Sequence, residues 1–296
     1  MMTETELIEK VLNSNKPSDI FNGDWKKDYL KYSKLIHPDT CKHPKASDAM
    51  AVINQYKDLI NNGREYADDS GVFKLFDDRI EYEITDLNRA LLRKSFDNFK
   101  KLIALKDPAS KHFRKYLPES MVWTSTKLTL KLSNRTVLLT HNKLEQVHVN
   151  WIFSRMFEFT LWLRQVGFAH LGLNPTSVGV VPETHGVTVL SFYHLTPLYK
   201  KATTISAKYK TWYPTTLFSK KIAMHDIDLE LCKKIAIYLL GDRSAAGTKL
   251  KRDKDVNQDV LTFLITKHDN TTDDYDNYRN ILRKNFNTKK FYELKM

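Results

Sequence analysis

The chain has 296 residues, 42% hydrophobic and 28% charged, a composition for one large core or two modest ones that excludes a disordered or fibrous polymer. Its 47 Lys and Arg against 35 Asp and Glu leave a formal charge of +12, which favours acidic partners through long-range attraction. Two cysteines, Cys41 and Cys232, make no disulfide framework, so a reducing cytoplasm is the expected compartment. The longest apolar stretch, residues 151 to 168, is interrupted by Arg155, Glu158 and Arg164, so no membrane span is expected. The acidic start MMTETELIEK does not look like a signal peptide.

In chain order, a short helix is predicted over Glu4 to Leu12. A helical hairpin follows over residues 24 to 62. Trp25, Tyr29, Tyr32 and Ile36 mark one face of its first helix, and Ala46, Ala49, Ile53, Tyr56 and Ile60 mark the second. Asp24 can cap the first helix and Gly63 can end the second. Lys27, Lys31 and Lys34 fall opposite the first apolar stripe, with Lys26 beside them, and this basic face runs down to His37, Pro38 and Asp39. His37, Cys41 and His43 would be an incomplete metal set, because no second cluster supplies further ligands; no metal or cofactor is expected.

A basic amphipathic helix, His-Pro-Asp at its end, and a second amphipathic helix together resemble the J domain of DnaJ-type co-chaperones. The resemblance covers about residues 3 to 62. It implies that His37, Pro38 and Asp39, with Lys26, Lys27, Lys31 and Lys34, dock on a DnaK-type chaperone and stimulate its ATP hydrolysis. The glycine-rich linker and zinc module of full DnaJ proteins are absent from the sequence.

After residue 65 the pattern changes. GVFKLFDDRIEYEI reads as a strand hairpin with its turn at Asp77-Asp78, followed by a basic helix from Leu87 to Leu105. KLTLKLSNRTVLL reads as a second hairpin turning at Ser133-Asn134. A long helix then carries Val149, Ile152, Phe153, Met156, Phe159 and Leu163 on one side, and the chain after residue 225 is mostly helical. Between the two lies HLGLNPTSVGVVPETHGVTVLSFYH, residues 170 to 194, whose only acidic residue is Glu183.

This order of elements resembles the protein-kinase fold over roughly residues 70 to 296. His170, Leu173 and Pro175 match the catalytic-loop motif, VTVLSFY matches the strand leading to the metal-binding turn, and TWYPTTLF sits where the segment after the activation loop belongs. The resemblance places Asp226 as the structural anchor that would hold the catalytic-loop backbone from below. The chemistry is missing. Kinases need a base for the substrate hydroxyl and an Asp and an Asn to hold magnesium. The corresponding positions here are Gly172, Ser191 and Ser177, with Phe192 retained beside Ser191. No glycine-rich phosphate loop is evident between residues 64 and 86, and Ser95 takes the place of the helix Glu that would pair with a strand Lys, for which Lys74 is the candidate.

The expected architecture is therefore α+β: a J domain (1–64), a reduced kinase-like N-lobe (65–145) and a kinase-like C-lobe (146–296). A J domain fused to a pseudokinase also resembles a group of bacterial and phage proteins, whose closing segment the tail NTKKFYELKM is similar to. The richness in Lys, Asn, Asp and Tyr fits an AT-rich genome such as a phage's, and thus residence in a host cytoplasm. The expected function is a non-enzymatic adaptor joining a DnaK-type chaperone to an unknown protein client. Two alternatives belong to other classes. Lys200, Lys201, Lys208 and Lys210, interleaved with aromatics including Trp212 in the segment 199–221, have the composition of a single-stranded nucleic-acid platform. A kinase-fold enzyme of altered chemistry is the other.

Overall fold

The computed structural model describes residues 2–21, 24–140, 143–287, 290–292 and 294; part of the tail segment 287–296 lies outside the described residues. The first unit is three helices: α1 (Glu4–Leu12), α2 (Trp25–Leu35) and α3 (Ala46–Asn62). Thr3 and Glu6 form a reciprocal capping box on α1, and the Asp24 carboxylate caps α2 by accepting the Lys27 N–H. Leu7, Ile8 and Val11 of α1 meet Tyr32 and Ile36, and Ala46, Ala49, Ile53 and Tyr56 of α3, in a core of their own. The hydrophobic stripes read from the sequence are these contacts, with Trp25, Tyr29 and Ile60 packed at the margin.

α3 runs into the first strand with only Gly63 between them. Gly63 adopts φ +64°, and a Cβ there would press on the Leu75 carbonyl and the Phe76 ring at 3.1 Å, so both space and backbone favour glycine. A Lys16–Glu183 ion pair at 3.3 Å also links the helical unit to the remainder of the chain.

Strands β1 (Arg64–Asp68), β2 (Gly71–Leu75) and β3 (Arg79–Glu83) form a meander. Helix α4 (Arg89–Ile103) and short α5 (Ser110–Phe113) precede β4 (Ser120–Trp123) and β5 (Lys127–Lys131). These make one antiparallel sheet in the order β1-β2-β3-β5-β4. Phe73, Leu75, Ile80, Tyr82, Leu128 and Leu130 alternate onto its buried face, where Leu92, Phe96 and Phe99 of α4 meet them. The sheet has five strands, of which the sequence pattern signals β2, β3 and β5. β1 and β4 escaped notice because each is an edge strand with exposed or half-exposed residues at most positions, which blunts the period-2 signal.

The second expected hairpin is also corrected. β6 (Val137–Leu138) leaves the first sheet and pairs antiparallel with β8 (Val178–Val181), which pairs in turn with β9 (Gly186–Val189). Gly179 allows this pairing, since a Cβ there would sit 2.2 Å from the Thr136 methyl. The central helix α6 (Gln146–Gln165) buries Val149, Ile152, Phe153, Met156, Phe159 and Leu163, as expected, together with Phe157 and Trp162. Strand β7 (Phe168–Ala169) pairs with β10 (Thr196–Pro197), and the chain closes with α7 (Thr215–Lys220), α8 (His225–Leu239), α9 (Gln258–Ile265) and α10 (Thr272–Asn285). Among the described residues no helix is long and apolar enough to cross a membrane.

Because the buried residues of the two units form separate clusters, they should lose structure separately. Ile53→Ala empties a fully enclosed position of the helical unit and should cost it on the order of 2–5 kcal/mol. Residue-resolved hydrogen exchange should then quicken through α1–α3 while β2, β3 and β5 stay protected. Equal quickening in the sheet would show that the two cores unfold as one.

Candidate functional site

The loop after α2 is the first candidate. His37, Pro38 and Asp39 are all exposed, and the loop is held by its own backbone: the His37 carbonyl accepts N–H bonds from Thr40 (3.0 Å) and Cys41 (2.8 Å). The His37 Nδ1 accepts the Asp39 amide at 3.3 Å, and the Pro38 ring fixes φ between them. Cys41 is buried and its thiol donates to Glu4 Oε2 at 3.3 Å, which ties the loop to α1. Lys26, Lys27, Lys31 and Lys34 are exposed on α2, as the helical spacing required. Leu30 lies among them and is 59% exposed. Sequence reasoning passed over it, because an apolar residue off the core stripe carries no periodic signal.

The second candidate is the region of residues 170 to 194. Beneath it the Asp228 carboxylate accepts the His170 N–H (2.6 Å) and the Leu171 N–H (2.8 Å), one on each oxygen. The structural anchor is thus Asp228, and the assignment to Asp226 is corrected. Both residues lie in the first turn of α8, but positions two apart on a helix point nearly opposite ways, and Asp228 is the buried one. Asp226 is half-buried, with one carboxylate oxygen lacking a hydrogen-bond partner among the described residues. Burial pushes the Asp228 carboxyl up to about 7, against the two N–H bonds that favour its charged form.

Those bonds hold an unusual backbone. Leu171 has φ +56°, and its carbonyl accepts the Tyr213 hydroxyl at 2.7 Å, so the residue is clamped on both sides. His170 contacts the Ser191 carbonyl through Nε2 (2.8 Å) and receives the Gly172 N–H on Nδ1 (3.2 Å), an arrangement for the neutral ring with its proton on Nε2. Burial and the neighbouring His194 push His170 down to about 3, consistent with that form. The Ser177 hydroxyl donates to the Gly172 carbonyl (2.8 Å) and accepts the Asn174 N–H (2.9 Å), so the loop is knotted internally. Beyond it, Ser95 Oγ accepts the Phe192 N–H at 2.8 Å, while the Asn98 amide donates to the Phe192 and Leu195 carbonyls. Ser95 is therefore a backbone clasp. Lys74 is no partner to it: it lies across from Glu65 and Glu81 on the other face of the sheet, with its ammonium 4.0 Å from Glu65.

The space beside Gly172 is full. A Cβ there would be 2.6 Å from His194 Cδ2. His194 is buried in a chain of hydrogen bonds that crosses the molecule: Lys94 Nζ donates to Thr204 Oγ1 (3.0 Å), Thr204 meets His194 Nδ1 (3.0 Å), and His194 Nε2 meets Asp69 Oδ2 (3.2 Å). A single polarity satisfies every link, with Lys94 as the terminal donor and Asp69 as the terminal acceptor. The other Asp69 oxygen accepts the Ser206 hydroxyl (3.0 Å) and the Ala207 N–H (3.1 Å). Burial works to raise the Asp69 carboxyl, but the bonds from His194 and Ser206 outweigh it and hold it below the ordinary value. Its neighbour Asp68 accepts the Tyr82 (3.0 Å) and Tyr193 (2.8 Å) hydroxyls, with Ser70 on its second oxygen; burial raises its carboxyl. The β1–β2 turn is therefore bolted onto residues 193 to 207. Sequence reasoning missed both carboxylates, which are joined to partners more than a hundred residues away.

The basic aromatic segment is divided by the fold. Lys200, Lys201, Lys208 and Lys210 are exposed, but Trp212 is buried, its ring 4.7 Å from Tyr209 and 5.9 Å from Tyr238. Tyr213 is buried as well. The assignment of Trp212 as a stacking surface is corrected: a large indole among core aromatics gains more from burial than from a solvent-facing role. Lys200 and Lys201 instead line a cleft of about 480 Å³ against α4.

No protein-family model and no curated protein matches the chain. Among solved structures, the crystal structure of a Toxoplasma gondii specific rhoptry antigen kinase domain is similar, at 12% sequence identity and a TM-score of 0.48, over 74% of this chain and 78% of that one. A likeness of that size carries no weight for function.

Asp228→Ala should leave two buried N–H donors unpaired and cost about 1–3 kcal/mol, with the upper end favoured because the acceptor is a carboxylate. Asp226→Ala removes an oxygen without a partner and should change stability by no more than about 0.5 kcal/mol. Thermal melts of the two variants check this, and the reverse order would return the anchor to Asp226.

Proposed function

We propose that the chain is a non-catalytic adaptor: its helical unit recruits and stimulates a DnaK-type chaperone, and its kinase-like remainder holds a protein client. The observation that carries the first half is the geometry of α2 and the loop after it. A proline-stiffened His-Pro-Asp loop stands in solvent on a unit with its own core, next to four exposed lysines. Such a surface suits an acidic partner, with the lysines steering the encounter and the loop fixing the pose. Leu30 adds exposed apolar surface in the middle of the charged face, which a partner would remove from water.

The second half is supported by the neighbourhood of Gly172. Glycine brings no base to the loop, His194 occupies the adjoining space, and Ser177 is spent on the loop's own backbone. Two neutral hydroxyls are poor ligands for a hard cation in any case. The nucleic-acid reading loses its support with the burial of Trp212 and Tyr213, since stacking needs exposed ring faces. The client is proposed to be a protein, and the compartment a cytoplasm that holds a DnaK-type chaperone.

Steady-state ATPase assays with the chaperone test the first half. His37→Gln and Asp39→Asn should each abolish stimulation with the far-ultraviolet spectrum unchanged. Lys27→Glu with Lys31→Glu should weaken docking, most at low salt. Leu30→Ala should raise the concentration for half-maximal stimulation several-fold with little change in its salt dependence. Wild-type stimulation by both loop variants would end the co-chaperone reading.

Labelled ATP tests the second half. With magnesium or manganese, no phosphoryl transfer to the chain or to a generic acceptor is expected. A labelled product that survives removal of contaminating kinases, and that disappears on Asp68→Asn, would mark an enzyme of altered chemistry.

A further inference from the structure

The cleft between α4 and the segment after β10 has a charge imbalance that the adaptor reading does not use. Arg93, Lys94 and Lys101 line it from the helix, Lys200 and Lys201 from the opposite wall, and Asp97 is the one acid among the described residues that line it. Asp97 is already engaged, 3.1 Å from Arg93 Nε. The lysines meet only neutral groups. Lys94 donates to the Thr203 and Thr204 hydroxyls, and Lys101 donates to Asn98 Oδ1 at 3.1 Å. Among the described residues none of the four lysines has a carboxylate within ion-pair distance.

From this geometry we infer that the cleft is a binding site for a compact polyphosphate anion. Four ammonium groups around one concavity repel each other, and an ordinary protein surface relieves such crowding with interspersed acids. The strain is visible at Lys94, whose ammonium is lowered by burial and by the nearby Lys101. A bound anion reverses the sign of that cost. The chemistry of the walls narrows the anion's class. Lysine is a point charge that meets phosphate oxygens from any direction, and with the single arginine taken by Asp97 the four ammonium groups call for an anion with several charges in a small volume, as a polyphosphate has. Among the described residues no aromatic side chain lines the cleft, so a nucleobase would find nothing there to stack on. At about 480 Å³ the space admits a small ligand and not a folded segment. An inorganic chain of phosphates and a polyphosphorylated polyol share this chemistry.

Calorimetric titration of the full chain tests the site, with sodium tripolyphosphate and inositol hexakisphosphate as the two probes. Poly-glutamate and oligo-thymidylate serve as competitors of other classes. Lys101→Ala, Lys200→Ala and Lys201→Ala are the cleft variants, and Lys249→Ala with Lys251→Ala, exposed on a distant turn, is the control. One probe or both should bind, the tighter one naming the source. Each cleft variant should weaken binding about tenfold with an unchanged melt, and the control should bind as wild type does. Affinity should fall steeply between low and high salt. Absence of binding, equal loss in the control, or tighter binding of poly-glutamate or oligo-thymidylate would overturn the assignment.

Discussion

Two backbone N–H groups, those of His170 and Leu171, converge on one buried carboxylate, and the larger unit is organised around that meeting. Asp228 joins the first turn of α8 to the loop after β7, so a helix and a loop nearly sixty residues apart share one hydrogen-bonded joint. With its amides committed downward, Leu171 is held in the left-handed region that leucine ordinarily avoids. Its carbonyl turns to Tyr213, and His170 is aimed at the Ser191 carbonyl. An anion is an expensive tenant for so dry a place, and the upward displacement of its carboxyl to about 7 is the measure of that expense.

Above this joint, contacts are made by small neutral side chains to backbone groups. Ser95 and Asn98 grip residues 192 to 195 without a charge between them. Charge returns around them: Lys101 donates to Asn98, Asp68 accepts the Tyr193 hydroxyl, and Lys94 and Asp69 end the relay through Thr204 and His194. Inside a protein a relay is strong when every member is satisfied and costly when one is missing. Here the links carry a uniform donor-to-acceptor direction, and the Asp69 end is completed by Ser206 and Ala207. The outcome is a β1–β2 turn with side-chain bonds reaching far along the chain, where a solvent-facing hairpin turn would have none.

The sequence made the helical unit legible because its apolar positions recur with the helical period and its caps are of the preferred types. α6 was legible for the same reason. What failed shares a cause: the deciding interaction was between residues remote in sequence. Asp226 and Asp228 occupy the same helix end with the same chemistry, and only packing against β7 and its loop tells them apart. Residues 127 to 139 carry two apolar runs around a polar turn, which is a hairpin locally, yet Gly179 offers the second run a closer neighbour. Trp212 among lysines has the composition of a binding surface and the location of a core residue. Asp68 and Asp69 gave no local signal, because two acids before Ser-Gly look like an ordinary turn.

Gly172 has a consequence for packing well beyond its own loop. A side chain at that position collides first with His194, and His194 is the middle link of a relay whose outer members sit on α4 and on the β1–β2 turn. A longer side chain at residue 172 therefore requires a change at residue 194 as well, and that change alone breaks the relay. The packing around one missing Cβ thus couples residue 172 to Asp69, Lys94 and Thr204, so substitutions at these four positions should not add independently.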